Sequence, residues 1–555
     1  MMNRTIWRKA AVLLLVPVLL LSVLAYRSDN NFFEISKNLD IFATLFREVN
    51  TYYVDEIKPA ELIKTGIDAM LESLDPYTNY ITEADIESYR FQTTGKYGGI
   101  GALIRKVGDD VVIAEPYKGF PADKAGLRAG DRLVEVDGKS TKGKSVEDVS
   151  KILKGTPGTE VKVTIQRPNE KQPFVRTLVR EEVKVSSVPY AGLVDGNIGY
   201  VRLTQFTENC SQEVASAIRK LQEKTPLSGL ILDLRGNPGG LLHEAVNVSN
   251  LFIEKGQEIV STRGKVKEWD KVYNTLQNAL EPTLPLAVLI NRSSASASEI
   301  VSGVMQDYDR GIILGQKTFG KGLVQTTRQL SYGTQLKVTT AHYYTPSGRC
   351  IQAINYAQRN PDGSVGKIPD SLKNAFKTRA GRIVYDGGGI DPDIVVEERE
   401  LQPITVSLLS KNLIFDYATL FHQQHASIPP SAEFHLTDEQ YNQFVLWLRD
   451  KEYDYTTKSE EKLREFRDMV KKEAYWDAIS EHYTALEKEM SHDKEKDLIK
   501  FKDEIREFLE QEIALRYYYQ DGRIEASLSS DPVVQKAKET LRDPAAYRKI
   551  LQASN

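Results

Sequence analysis

Gly229-Leu230-Ile231-Leu232-Asp233-Leu234 is a near-continuous apolar run, and Arg235-Gly236-Asn237-Pro238-Gly239-Gly240 follows it at once. A run this short and apolar, closed by glycine and proline, reads as a buried central strand ending in a special loop. The pattern recurs at Leu286-Ala287-Val288-Leu289-Ile290, which runs into Asn291-Arg292-Ser293-Ser294-Ala295-Ser296-Ala297-Ser298-Glu299. A third strand is expected at Ile312-Ile313-Leu314, with helices over 211–223, 241–252 and 300–308 between the strands. This alternation predicts an α/β core over residues 183–400. Ligand sites in such sheets lie at the carboxyl ends of strands, so both loops project to one candidate edge.

Upstream, residues 93–182 change character to short strands and turns. Val111-Val112-Ile113-Ala114, Leu133-Val134-Glu135-Val136 and Val161-Lys162-Val163-Thr164-Ile165 are strands, and Ser145 caps a helix running to Leu153. With the Tyr97-Gly98-Gly99-Ile100-Gly101 loop and the Gly126–Asp131 turn, this order resembles a PDZ domain. The resemblance implies that Gly98, Gly99, Ile100 and Gly101 present N–H groups to a peptide's terminal carboxylate. The peptide then adds as a strand to the sheet edge. Alone, such a loop is an ordinary turn.

Residues 28–92 read as helical, with Leu39, Phe42, Leu45, Phe46 and Val49 at helical spacing. Before them, Arg4, Arg8 and Lys9 precede the apolar run 10–25, so residues 1–27 read as a signal peptide or signal-anchor. Export to the cell envelope or periplasm is therefore expected, with the segment cleaved after Ala25 or kept as an inner-membrane anchor. Residues 401–555 form a charged helical extension, with oligomerisation or substrate restriction as its expected role. The 555 residues are 41% hydrophobic and carry a net charge of −4, which suits several packed domains and gives no basis for a nucleic-acid partner. Two cysteines, Cys210 and Cys350, cannot form a four-ligand zinc site, and whether they pair stays open.

The serine-rich loop offers a hydroxyl at a helix start, and serine needs a base to become a nucleophile. Of seven histidines only His243 and His342 fall in the core, and no HExxH or GxSxG pattern frames them. A Ser–His arrangement through either remains the alternative. Lys321, in Thr318-Phe319-Gly320-Lys321-Gly322, is the other base. A lysine near its ordinary pKa of about 10.4 is a poor base, but burial among Phe319, Leu323 and Val324 is expected to lower it. Locally, Ser296 and Glu299 also fit a helix capping box, and Ser294 and Ser298 are rivals for the nucleophile.

Three strings taken together resemble the C-terminal processing peptidases of serine peptidase family S41. They are Asp233–Gly240; Ser294–Ile300 with Phe319–Gly322 and Gln325; and Gly387-Gly388-Gly389-Ile390-Asp391-Pro392-Asp393. The resemblance implies a crotonase-like α/β protease core carrying an inserted PDZ domain. It implies Ser296 as nucleophile, Lys321 as general base and Gln325 as the residue that positions the lysine. The N–H groups of Ala297 and of Gly239 or Gly240 would form the oxyanion hole. Asp307 matches an aspartate sometimes placed in the charge relay, although a carboxylate beside the lysine would raise its pKa, which favours a structural role. The expected partners are polypeptides with exposed C-termini, and no metal or cofactor is implied. A scaffold that only binds C-termini, or an acyl-CoA hydratase on the same core, are the competing classes.

Overall fold

The computed structural model describes residues 32–360, 362–490 and 494–553. The expected signal segment 1–27 lies outside the described residues. Two units separate, residues 1–80 and 81–555. In the first, helices span residues 32–52 and Pro59–Glu72. The chain then turns at Asp75, whose carboxylate accepts the N–H groups of Tyr77 (2.8 Å) and Thr78 (2.9 Å).

The core of the second unit is a six-stranded sheet in the order Tyr190–Val194, Ile198–Arg202, Gly229–Asp233, Leu286–Ile290, Ile312–Gly315, Ile394–Val395. The first pair is antiparallel and the rest are parallel. Both apolar runs are therefore central strands, buried on two faces. Alternation along the strands assigns the faces. Leu230, Leu232, Val288 and Ile313 pack under the helices Cys210–Lys224, Leu242–Asn250 and Ala297–Asp307.

Tyr200, Ile231, Leu289 and Leu314 point the other way. They are covered by Ile524, Leu528, Val534 and Leu541 from the chain's end. The Tyr547 hydroxyl also bonds both the N–H (2.9 Å) and the carbonyl (3.1 Å) of Leu286. The helices Lys502–Leu528, Pro532–Arg542 and Pro544–Ile550 supply the third layer of the protease core. Helices over 403–447 build a core of their own against the first half of Lys502–Leu528.

The PDZ-like strands form a sheet in the order Ala102–Val107, Asp110–Pro116, Arg132–Val136, Glu160–Gln166, Phe174–Val179. Ala102–Val107 is an edge strand beside the helix Val146–Leu153, and Leu103 stands half exposed there. Helix Lys502–Leu528 breaks at Tyr519 (φ 58°, ψ −157°) where it meets this domain. There the Gln520 N–H reaches the Glu115 carboxylate at 3.0 Å, and the Tyr519 hydroxyl reaches Asp123 at 2.8 Å.

Candidate active site

The two special loops do converge. Asn237, fully buried, joins them: its carbonyl accepts the Ala295 N–H (3.1 Å) and the Ser298 hydroxyl (2.9 Å). Its side chain holds the Leu203 carbonyl (2.9 Å) and the Gly239 N–H (2.9 Å). Gly239 (φ 100°) is glycine for a packing reason. A Cβ there would lie 2.7 Å from the Ala295 carbonyl and 2.8 Å from the Ser296 Cβ.

The three serines part company. Ser294 is buried and donates to the Leu234 carbonyl (2.8 Å), and Ser298 is buried on Asn237. Ser296 opens into a cavity of about 510 Å³ that Lys321, Gln325, Gly239, Gly240 and Ala297 also line. Its backbone is strained, with φ 55° and ψ −112°, a conformation that persists only when its surroundings enforce it. Here they do. The Ser296 N–H donates to Glu299 (2.8 Å), and its carbonyl accepts the Glu299 N–H (2.8 Å) and the Tyr343 hydroxyl (3.2 Å). Ser296 and Glu299 form a capping box, in which the Ser296 hydroxyl oxygen only accepts, so capping does not engage its O–H proton.

Glu299 is the hub that reading from sequence reduced to a cap. Fully buried, it accepts four hydrogen bonds, two on each oxygen. Oε1 takes the Thr318 hydroxyl (2.6 Å) and the Gly320 N–H (2.7 Å), and Oε2 takes the N–H groups of Ser296 (2.8 Å) and Lys321 (2.9 Å). One carboxylate thus fixes the backbones of both Ser296 and Lys321. Burial pushes its pKa up to about 7 against the pull of these donors. The S-x-x-E spacing signalled a partner for Ser296, but nothing local pointed to Lys321, 22 residues on. Tyr343 gave no sequence signal at all.

Gly320 and Gly322, which flank Lys321, have a packing role. Their backbones abut Ala353 and Gln352, and the Gly322 N–H donates to Gln352 at 2.7 Å. Leu323 and Val324 line the cavity as expected, but Phe319 is 49% exposed and does not. Gln325 donates to the Thr339 hydroxyl at 3.2 Å. Of the oxyanion candidates, the Gly239 N–H is committed to Asn237. The Gly240 and Ala297 N–H groups have no acceptor among the described residues.

Asp307 is not brought to the cavity. It ends the helix that Ser296 begins, about 15 Å along it by the rise of 1.5 Å per residue. Its carboxylate is taken by Arg349 (2.8 Å) and the Ser347 N–H (2.9 Å). His243 and His342 do not line the cavity either. Cys210 and Cys350 are both free thiols, and no metal-binding cluster occurs among the described residues. In the PDZ-like domain Gly98 and Gly99 belong to a strand, Lys96–Gly99, paired with Glu181–Lys184. Gly98 lies against Gly155, whose carbonyl would sit 2.1 Å from a Cβ, and Gly101 (φ 70°) lies against Phe120. Ile100 is buried, and its carbonyl accepts the Ala122 N–H.

Comparison with known proteins matches this layout. A profile described as "Peptidase family S41" fits residues 197–365, one for a PDZ domain fits 112–167, and one for "Probable PDZ-protease, C-terminal helical domain" fits 404–541. Over 330 residues the chain is 40% identical to the carboxy-terminal-processing protease of Bartonella bacilliformis, covering 59% of this chain and 75% of that one. It is 38% identical over 317 residues to the probable CtpA-like serine protease of Staphylococcus aureus, covering 57% of this chain and 62%, under two thirds, of that one. Among solved structures, a photosystem II D1 C-terminal processing protease aligns at 30% identity and a TM-score of 0.34, covering 64% of this chain and 92% of that one.

Proposed function

The chain belongs to peptidase family S41 as a PDZ-containing, C-terminal processing serine peptidase, and on that premise we propose that Ser296 and Lys321 form its catalytic dyad. The single observation that carries the reading is the shared cavity. Of the three candidate serines, the one facing it is the strained Ser296, and of the two lysines lining it Lys321 is the one tied to Ser296 through Glu299.

In this reading Ser296 Oγ attacks the scissile carbonyl while the neutral Lys321 amine takes its proton. The tetrahedral oxyanion sits against the N–H groups of Gly240 and Ala297, which are fixed before the reaction and need no reorganisation. Lys321 then passes the proton to the leaving amine. The C–N bond breaks and an ester to Ser296 remains. Water, deprotonated by Lys321, attacks that ester, and the proton returns to Ser296 as the acid is released. Gln325 orients the lysine from the adjacent strand. The sheet and its loop-borne oxyanion hole are read as crotonase-like.

The substrates are exported polypeptides cut at or near their C-termini. The open edge strand Ala102–Val107 supports capture of those termini by strand addition, with residues 98–101 at the carboxylate end. The contacts of Glu115 and Asp123 with the Tyr519 kink support a PDZ domain that gates cleavage through the tail. Export rests on residues 1–27. No described helix is long and apolar enough to cross a membrane.

Ser296→Ala and Lys321→Met are each expected to abolish cleavage of an unfolded protein substrate, with melting temperatures close to that of the unaltered chain. Proteolysis surviving either change refutes the dyad. Accumulation of uncut exported proteins in cells carrying Ser296→Ala would identify the substrates.

A further inference from the structure

The cavity that holds Ser296 and Lys321 contains a second lysine. Lys337 lies on the strand Gln335–Tyr344, paired with Thr327, while Thr339 is paired with Gln325. Residues two apart share a strand face, so Lys337 and Thr339 stand side by side, and Lys337 lines the cavity together with Gln325. It is half-buried, and burial alone lowers its pKa, with no opposing carboxylate. No hydrogen bond or ion pair holds its ammonium among the described residues. Among the described residues, no aspartate or glutamate lines the cavity. Glu299, the acid built into the site, is fully buried, with both oxygens already taken by the dyad loops.

A partly desolvated ammonium without a counter-charge is unfavourable by itself. A lysine on open surface would turn its head to water. This one instead shares a cavity wall with the reacting groups, where a bound chain displaces that water. An anion brought by the ligand would restore the missing partner, and a charge-assisted hydrogen bond is about twice as strong as a neutral one.

We propose that Lys337 is a specificity residue that receives a carboxylate of the bound polypeptide close to the scissile bond. The carboxylate is either an acidic side chain or the chain's own C-terminal group. The assignment rests on the reading that Ser296 and Lys321 cut the chain. Lys337 takes no part in proton transfer; its ammonium anchors one flank of the substrate while Ser296 meets the carbonyl.

Three peptides, otherwise identical, separate the sources. One has an internal glutamate and an amidated end, the second an internal glutamine and a free terminal carboxylate, the third an internal glutamine and an amidated end. Their kcat/KM values are measured with the full chain and with Lys337→Met. The PDZ groove is the same in both proteins, so its preference cancels in the ratio. Lys337→Met is expected to lower kcat/KM at least about tenfold on one or both carboxylate-bearing peptides. The neutral peptide should stay within about twofold. The peptide that suffers names the source. Lys337→Gln should repeat the pattern, and Lys337→Arg should retain the preference. Equal effects on all three peptides, or none, overturn the proposal. Ser296→Ala run in parallel tests the underlying reading separately. Residual cleavage by that variant would defeat the dyad and leave the carboxylate preference to be judged by the Lys337→Met ratio alone.

Discussion

Replacing Glu299 with glutamine tests whether one carboxylate holds the site together. The native group accepts two donors on each oxygen. An amide accepts on one side only and offers N–H groups on the other. Thr318 has a hydroxyl that can rotate to accept, whereas Ser296, Gly320 and Lys321 present fixed backbone donors. The amide nitrogen is therefore expected to face Thr318 and Gly320, leaving the Gly320 N–H without an acceptor. A buried donor left unpaired costs about 1–3 kcal/mol. The Gly320–Lys321 segment should shift away from it, and a displacement near 1 Å at a catalytic group costs about 100-fold in rate. Glu299→Gln should thus fold, melt lower, and lose about 10- to 100-fold in kcat with a smaller change in KM. Its stability should also respond differently to pH. The folded carboxyl stands at about 7 against an ordinary 4.5. A carboxyl raised in this way favours the folded state below pH 4.5 and loses that contribution as pH rises through 7, about 3 kcal/mol in all. The stability lead of the native chain over Glu299→Gln should therefore shrink from pH 4.5 to 7. Peptide-cleavage kinetics and denaturant titrations across that range are the assays. A variant with native kcat, and a stability difference independent of pH, would refute the account.

Three further perturbations probe the same frame. Asp531 begins the helix Pro532–Arg542, accepting the Val533 and Val534 N–H groups, and also pairs with Arg235 at 2.7 Å beside the oxyanion loop. Asn caps as well as Asp, so Asp531→Asn should keep the helix but weaken the pairing by about 1–3 kcal/mol, read as a lower denaturation midpoint; an unchanged midpoint would make the pairing incidental. Gly239→Ala places a Cβ within 3 Å of the Ser296 turn at φ 100°, and should remove activity by at least about 100-fold; near-native activity would mean the loops are not packed as described. Truncation before residue 524 uncovers Tyr200, Ile231, Leu289, Ile312 and Leu314. At about 1.5–3 kcal/mol each, this matches the whole net stability of about 5–15 kcal/mol typical of a domain. The truncated chain should bind a hydrophobic dye and lose cooperative unfolding, whereas a folded, active truncation would refute the third layer.

The sequence by itself determined what is local or periodic. Two apolar runs became central parallel strands because burial on both faces leaves no polar alternation. The PDZ-like strands and the cap at Ser145 followed from spacing and turn chemistry in the same way. The two loops were legible as a candidate site because glycine, asparagine and serine cluster where the strand ends throw them to one edge, whereas the choice of Ser296 and Lys321 came from the family resemblance. Which serine opens to the cavity was not legible from local sequence, since burial of Ser294 and Ser298 depends on carbonyls 60 residues away. Only the tertiary structure decided the rest. The glycines at 98, 239, 320 and 322 are set by backbones approaching from elsewhere in the chain. Glu299 became a hub because the chain returns past it at Thr318, and Tyr343 became a support for Ser296 because a second sheet reaches it. The charged tail looked like solvated helices because its apolar residues are spread among charges. Its inward stripe acquires meaning only against the open face of the sheet, a surface no local pattern reveals.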